Sequence, residues 1–226
     1  MSMSELEAVY RNRWTDGEVN QMRRIWGILV TDFFQKFVSE TGTILDVGAG
    51  FCHFINQIRA KRRIAVDANP GIRAYADPAV EVLITDDLTL PSISDGEVNH
   101  VFISNFLEHL STSADVITLL RNMQAKLSPG GTVLILEPNF RFTGAAYFDF
   151  IDHTVVLTDK SLVEALEVTG FRIVYLARRF LPYTSKSKLP RPSWLVRCYL
   201  ALPLLWRAFG QQTFVVAEKP RRNGCQ

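Results

Sequence analysis

The 226-residue sequence has few cysteines, and their arrangement would not support a cross-linked or metal-stabilised fold. Cys52, Cys198 and Cys225 are odd in number, lie far apart and show no paired spacing. A disulfide framework needs an even set, and a structural zinc site needs closely spaced pairs. We therefore expect neither, and a reducing cytoplasm is the expected setting.

The sequence also shows no large charge excess and no internal repeat. Its net charge is only +2, which argues against a dedicated nucleic-acid binder. The first residues show no basic region followed by an apolar core and a small-residue cleavage site, so no secretory signal is expected. A hydrophobic fraction of 47% indicates one compact soluble domain with a full core and room for an appendage.

The most informative stretch, residues 44–54, reads Ile-Leu-Asp-Val-Gly-Ala-Gly-Phe-Cys-His-Phe. An apolar run ends near Asp46, Gly48 and Gly50 follow, and apolar residues then recur at helical spacing. This pattern predicts a buried strand that turns tightly into a helix, where backbone amides can meet a ligand. A dinucleotide fingerprint would need a third glycine where this chain has His53, which argues against a nicotinamide-linked oxidoreductase.

The segment Asp46-Val47-Gly48-Ala49-Gly50 resembles the first motif of the class I S-adenosylmethionine-dependent methyltransferases, particularly type 11-like bacterial small-molecule enzymes. The resemblance covers residues 43–219 in motif order. It implies an α/β fold, a Rossmann-like three-layer sandwich whose seven-stranded, mostly parallel sheet has the order 3-2-1-4-5-7-6 and an antiparallel last strand. Cys52 and Asn99 depart from the family pattern, which often has glycine and aspartate there.

The expected organisation is an N-terminal helical cap (1–42), a methyltransferase domain (43–219) with a basic, apolar insertion (178–212), and a basic tail (220–226). Periodicity predicts strands near 63–66, 80–85, 98–104, 132–137, 171–177 and 214–219, and helices at 113–127 and 158–169.

The resemblance implies S-adenosyl-L-methionine as cofactor and S-adenosyl-L-homocysteine as product. Asp67, about twenty residues beyond Asp46, is expected to accept hydrogen bonds from the ribose hydroxyls, although it can also cap the next helix. Asp86 or Asp87 would take the adenine amino group, with Leu88 covering the ring. The full set of expected cofactor contacts is Asp46, Gly48, Ala49, Gly50, Phe51, Asp67, Ala68, Asp86, Asp87, Leu88, Asn105 and Phe106.

The aromatic loop at residues 140–157 would lie over the transferable methyl group. His153 is the candidate general base, with Asp152 or Asp149 orienting it, and a structural histidine is the alternative reading. His109, near a helix start, is read mainly as a packing residue. The expected substrate contacts are Tyr10, Arg13, Asn139, Arg141 and Tyr147, and no metal is expected.

The insertion is strongly basic, because no acidic residue occurs between positions 168 and 217. Its apolar part, residues 194–209, is interrupted by Arg197, Pro203 and Arg207 and is too short to span a membrane. It can pack on the sheet, form a dimer contact or touch a membrane surface, so monomer and homodimer both remain open.

These features predict methyl transfer to a small-molecule, glycan or lipid-intermediate acceptor, with oxygen favoured over nitrogen. The alternative is a catalytically silent S-adenosylmethionine-binding regulatory or partner protein. No nucleic-acid partner is expected, and the predicted location is the cytoplasm, with peripheral membrane contact as one reading.

Overall fold

The computed structural model describes residues 13–183 and 192–221. Its centre is a seven-stranded sheet in the order β3-β2-β1-β4-β5-β7-β6, in which β7 runs antiparallel to both neighbours. This confirms the predicted fold. The strands are β1 (Thr43–Val47), β2 (Arg62–Asp67), β3 (Glu81–Ile84), β4 (Val98–Ser104), β5 (Leu127–Pro138), β6 (Arg172–Ala177) and β7 (Gln212–Glu218).

Helices cover both faces of the sheet. They are α1 (Asp16–Asp32), α2 (Ser113–Lys126), α3 (Phe140–Thr143), α4 (Asp159–Val168), α5 (Ser193–Ala201) and α6 (Pro203–Phe209), and short 3₁₀ turns occupy Phe34–Phe37, Pro70–Ala74, Leu107–His109 and Gly144–Asp149. Local sequence sets several helix starts, since Thr15 and Thr112 each form a capping box with the acidic residue three positions later.

The two faces of the sheet have different cores. Aliphatic residues such as Leu119 and Leu166 fill the face under α2 and α4. Aromatic rings fill the face under α1, where Phe54 stacks on Phe102 at 3.6 Å and Phe33 stacks on Phe180 at 4.3 Å between ring centroids. Burial of rings on this scale is a large apolar contribution to stability.

The helix predicted after the glycine turn does not form as a regular helix. Residues 50–58 form hydrogen-bonded turns instead. Gly50 and Cys52 both have positive φ, +50° and +55°, which interrupts a right-handed helical backbone. The apolar spacing still works, since Ile55 and Ile58 are buried against the sheet.

The departure at Asn99 is structurally compensated. Its Oδ1 accepts a hydrogen bond from Thr43 N–H at 2.8 Å, and its Nδ2 donates to Ser128 Oγ at 3.2 Å. The amide therefore ties the start of β1 to the turn before the central part of β5.

Strand register places the functional groups. Val47 pairs with Ile103, and Ser104 pairs with Leu136, so β1, β4 and β5 end at one edge of the sheet. The residues that follow these strands therefore face a common crevice, as in other doubly wound sheets.

His100 gives the fold a testable pH dependence. Ser39 N–H donates to His100 Nε2 at 3.1 Å, and burial lowers the pKa of His100 to about 4. An unfolded histidine titrates near 6.5, so below that pH only the unfolded chain takes up this proton and stability falls as pH decreases, by up to about 1.4 kcal/mol per pH unit.

We expect His100→Gln to be less stable at pH 7.5 but to lose stability less steeply between pH 6.5 and 5 in urea unfolding. Equal slopes for the two proteins would contradict this.

Candidate functional site

The glycine turn after β1 is held against the end of β2. Gly48 and Ala49 both donate their N–H groups to Val66 O, at 2.9 and 3.1 Å. Gly48 has a φ of +71°, and a Cβ there would lie 2.3 Å from Phe106 Cδ2. Both the backbone conformation and the close ring contact therefore require glycine at position 48.

Two carboxylates flank this turn. Asp46 is buried and lines the cavity described below, and burial followed by repulsion from Asp67 raises its pKa well above the ordinary value. Asp67 Oδ2 accepts from Gly50 N–H at 2.8 Å and Oδ1 accepts from Asn69 N–H at 2.9 Å. Asp67 thus braces the turn, and its remaining lone pairs are available to a ligand.

The predicted adenine-binding residues lie outside the cavity. Asp87 Oδ1 accepts from Thr89 N–H and Oγ1, at 2.9 and 2.7 Å, which leaves Asp86 as the better placed of the two aspartates for a ligand. Leu88 packs against the aliphatic core. Asp67, Ala68 and Phe106 also do not line the cavity, so the structure does not bring the whole predicted nucleoside site together.

A cavity of about 950 Å³ begins at the glycine turn and continues beneath α5 and α6. Asp46, Gly48, Ala49, Gly50, Phe51 and Asn105 line one end of it. Its middle is walled by aromatic and aliphatic side chains from α1, α5 and α6. The volume is at the upper end of the range for small-molecule sites, enough for part of a cofactor together with an acceptor.

A polar cluster that we call the histidine pole is formed by Arg13, Glu108, His109, Asp152 and His153, and all of these except Asp152 line the cavity. The two imidazole centroids lie 5.0 Å apart. Arg13 donates to both oxygens of Asp152, at 2.7 and 3.2 Å, in a largely buried bidentate pair.

His109 is the better oriented of the two histidines. Its Nδ1 lies 3.1 Å from Asp152 O and 3.3 Å from Asp152 Oδ2. Both partners are acceptors, so Nδ1 carries the proton and Nε2 is left as an unprotonated base. Burial lowers the pKa of His109, against an opposing effect of the Asp152 charge, which favours the neutral ring near pH 7.

His153 is held mainly by ring contacts. It stacks on Phe150 at 5.0 Å, its Nδ1 lies 3.5 Å from Tyr183 Oη, and its Nε2 lies 4.0 Å from Glu108 Oε1. Burial lowers its pKa to about 4. Asp152, which we predicted to orient His153, is bonded to Arg13 and His109, and Asp149 is exposed on the preceding turn.

Behind the histidines lies a buried pair of acidic side chains, Glu108 and Glu137. Glu137 Oε1 accepts from the N–H groups of Phe106 and Leu107, both at 3.2 Å. The Oε2 atoms of the two glutamates are buried without another partner, and a shared proton would satisfy both. Burial, reinforced by Glu137, raises the pKa of Glu108 well above its usual range, so Glu108 is the protonated member.

Glu108, His109 and His153 also present potential metal-ligand atoms within 4.8 Å of one another. Ligands of one zinc ion, bound at about 2.1 Å, lie roughly 3.4 Å apart in tetrahedral geometry. The one separation that can be compared, 4.0 Å between His153 Nε2 and Glu108 Oε1, exceeds that value, so this arrangement suits proton and hydrogen-bond chemistry better.

The predicted substrate residues are dispersed. Arg13 lines the cavity, and Tyr10 lies outside the described residues. Asn139 is fully buried and its Nδ2 donates to Asp159 and Thr213, Arg141 is half-exposed near Asp159, and the Tyr147 hydroxyl donates to Val155 O. These positions argue against substrate contact by Asn139, Arg141 and Tyr147.

Sequence reasoning missed several cavity residues, including Glu108, Tyr183 and Gln212. Gln212 is especially informative because its Oε1 is buried and has no hydrogen-bond partner among residues 13–183 and 192–221, while its Nε2 donates to Pro182 O at 2.9 Å. An unsatisfied buried acceptor lining a cavity calls for a ligand donor. No spacing signal could have found it, since Gln212 begins the last strand and reaches the site only through sheet topology.

The residues around the glycine turn fit the amino-acid part of the cofactor that the sequence motif implies. A tight glycine turn, a buried carboxylate at Asp46 and a cavity continuing toward a base are the parts that an aminoacyl nucleoside with a reactive methyl requires. The fold and this crevice together define the class I methyltransferase type, whose cofactor is S-adenosylmethionine.

A sequence model described as a methyltransferase domain matches residues 19–176, and the chain belongs to this family. No curated protein matches the sequence. Solved structures share the fold: a SAM-dependent methyltransferase from Archaeoglobus fulgidus is 21% identical, with a TM-score of 0.66 over 87% of this chain and 94% of that one.

A second similar structure is the methyltransferase in a complex with the Trm112 methyltransferase activator of Haloferax volcanii. It is 19% identical, with a TM-score of 0.65 over 91% of this chain and 95% of that one. A geranyl diphosphate methyltransferase in complex with SAM is 12% identical, with a TM-score of 0.59 over 83% of each chain.

Alanine substitutions test the turn. Gly48→Ala should lower the free energy of unfolding by about 2 kcal/mol or more, because left-handed strain adds to the clash with Phe106. Gly50→Ala has φ of +50° but nothing within 4 Å of its new Cβ, so only strain of about 1 kcal/mol is expected. Chemical denaturation measures both, and equal losses would contradict the close contact at Gly48.

Proposed function

We propose that the protein transfers the methyl group of S-adenosylmethionine to a hydroxyl oxygen of a small-molecule, glycan or lipid-intermediate acceptor. The single observation that carries this proposal is that one cavity is lined both by the glycine turn and by His109, whose Nδ1 is bonded to Asp152 so that Nε2 is left unprotonated. The cofactor site and the base therefore belong to the same cavity.

The glycine turn, Asp46 and Asn105 would hold the amino-acid part of the cofactor. Asp67 would take the ribose hydroxyls and Asp86 the adenine amino group, with Leu88 beside the ring; none of these three residues lines the cavity. When bound, the cofactor supplies a methyl carbon whose bond to sulfur breaks, with the electron pair leaving on a neutral thioether.

The protein's main contribution is then alignment and exclusion of water. Aromatic and aliphatic side chains that line the cavity disfavour water there. Positioning two reactants can lower an activation barrier by on the order of 7 to 11 kcal/mol. Gln212 Oε1 is placed to accept a hydrogen bond from a polar group of the acceptor, which would fix its orientation.

The hydroxyl proton needs an acceptor as the new carbon–oxygen bond forms. We assign this role to His109 Nε2, with Asp152 as the positioning residue that fixes the tautomer and stabilises the charged ring, and Arg13 holding Asp152. His153, the base predicted from sequence, lies next to His109, with the ring centroids 5.0 Å apart, and is assigned to hydrogen bonding of the acceptor oxygen. A base already neutral at pH 7 supports oxygen as the methylated atom.

Cofactor binding tests the nucleoside assignment. Asp67→Ala should weaken S-adenosylmethionine and S-adenosylhomocysteine binding by about 1 to 3 kcal/mol in calorimetry, because buried hydrogen-bond partners lose their acceptor. Asp95→Ala, at an exposed carboxylate paired with Lys126, is the matched control. Unchanged affinity in Asp67→Ala would refute the ribose contact, and binding without turnover on any acceptor would favour a silent cofactor-binding protein.

The base assignment is tested with an acceptor found in a methyl-donor turnover screen of hydroxyl compounds. His109→Gln should lower kcat by about 10²- to 10⁴-fold with little change in cofactor affinity. His100→Gln, a buried histidine away from the cavity, controls for general destabilisation. Similar kcat values for the two variants would show that His109 is not the base.

A further inference from the structure

The two helices of the insertion form one wall of the cavity. Leu195, Val196 and Tyr199 of α5 and Leu205 and Phe209 of α6 line it. The helices are fixed to the body of the protein, since Arg197 donates to Asp32 of α1 at 3.1 Å and the Tyr199 hydroxyl donates to Phe180 O. We call residues 193–209 the α5–α6 wall.

The outer side of the α5–α6 wall is apolar and exposed. Trp194 is 65% exposed, Leu202 52%, Leu204 75% and Phe209 61%. Five large apolar side chains exposed within sixteen residues, counting Leu195, are more than the scattered apolar residues expected on a solvated surface.

The cavity and the exposed apolar side chains of the wall share two residues. Leu195 and Phe209 both line the cavity, and they are 45% and 61% exposed. An apolar ligand in contact with either side chain would therefore also border the cavity.

The charge of the surrounding chain selects the partner. The sequence has no acidic residue between positions 168 and 217 and eight basic ones: Arg172, Arg178, Arg179, Lys186, Lys188, Arg191, Arg197 and Arg207. Arg172, Arg178 and Arg197 are paired with acidic side chains, so the net positive charge of this segment comes from the other five basic residues. Exposed apolar and tryptophan side chains with such neighbours in the sequence suit an anionic lipid surface. Among the helices that the structure describes, none has the length and apolarity to cross a bilayer, so the contact is one of the interface.

We propose that the α5–α6 wall inserts its apolar side chains into the interface of an anionic bilayer and that the acceptor enters the cavity from that bilayer as a lipid carrying a hydroxyl group. This rests on the proposed function for the transfer step alone. Binding to the bilayer stands independently of it. The apolar part of the acceptor would lie along Leu195 and Phe209, and its hydroxyl group would reach the histidine pole.

Vesicle binding tests the surface with the full chain. We expect co-sedimentation with vesicles of phosphatidylcholine and phosphatidylglycerol (3:1), and at least about tenfold weaker partitioning into phosphatidylcholine alone. Leu204→Gln and Trp194→Gln, at positions outside the cavity lining, should each lower partitioning by at least about fivefold. Val168→Gln, at a comparably exposed valine (64%) on α4, is the matched control and should not change it.

The exposed Cys198 of α5 gives a site-specific readout in a Cys225→Ser background, since Cys52 is buried. An environment-sensitive fluorophore on Cys198 should shift to the blue with anionic vesicles, and brominated lipid should quench it. Absence of vesicle binding would overturn the proposal, as would a self-associated dimer, seen by light scattering, that Leu204→Gln dissociates.

Calorimetry with S-adenosylmethionine separates the two proposals. Cofactor binding without vesicle binding would overturn the membrane inference and leave the proposed function intact. Vesicle binding without cofactor binding would overturn the proposed function and leave the membrane inference intact. With both present, methyl transfer to vesicle-borne hydroxyl lipids that exceeds transfer to water-soluble alcohols by about tenfold or more would support the lipid acceptor, and the opposite preference would overturn it.

Discussion

The anchoring of the glycine turn to the end of β2 is the contact on which the site depends. Two N–H groups of the turn share Val66 O, and a third binds Asp67, so the chain is pinned immediately after β1. The pinned turn fixes Gly48 against the Phe106 ring and places Asp46 at the cavity. Backbone groups held in advance spend little free energy on reorganisation when a ligand binds.

The glycine turn and the histidine pole are built differently. The glycine turn comes from one continuous segment, whereas the histidine pole depends on Arg13 and Asp152, which are 139 positions apart. Such a pair is costly to desolvate, and removing one partner of a buried pair typically costs about 3 to 5 kcal/mol. The histidine pole therefore forms only when the N-terminal segment with α1 and the loop after β5 are both packed in place. It is more sensitive to destabilising substitutions than the glycine turn.

Local sequence was sufficient for most helix and strand bounds and for the glycine turn, because capping residues, apolar runs and glycines act within a few positions, whereas the sheet order came from the resemblance to the methyltransferase family. Local sequence was insufficient for side chains whose partners come from distant strands. Asn139 looked like a ligand residue at a strand end, but Asp159 and Thr213 occupy its amide group. Asp152 is adjacent to His153 in sequence, yet it pairs with His109 because tertiary packing, not chain proximity, sets its partner. The residues that would contact adenine and the acceptor lie in exposed loops. Sequence patterns there impose little physical constraint, so these contacts are hard to predict.

The α5–α6 wall uses Leu195 and Phe209 on two surfaces at once. A substitution at either residue therefore changes the shape of the cavity and the exposed surface of the α5–α6 wall together. The lining of the cavity and the surface of the α5–α6 wall are therefore coupled, and a substitution cannot optimise one of them independently of the other.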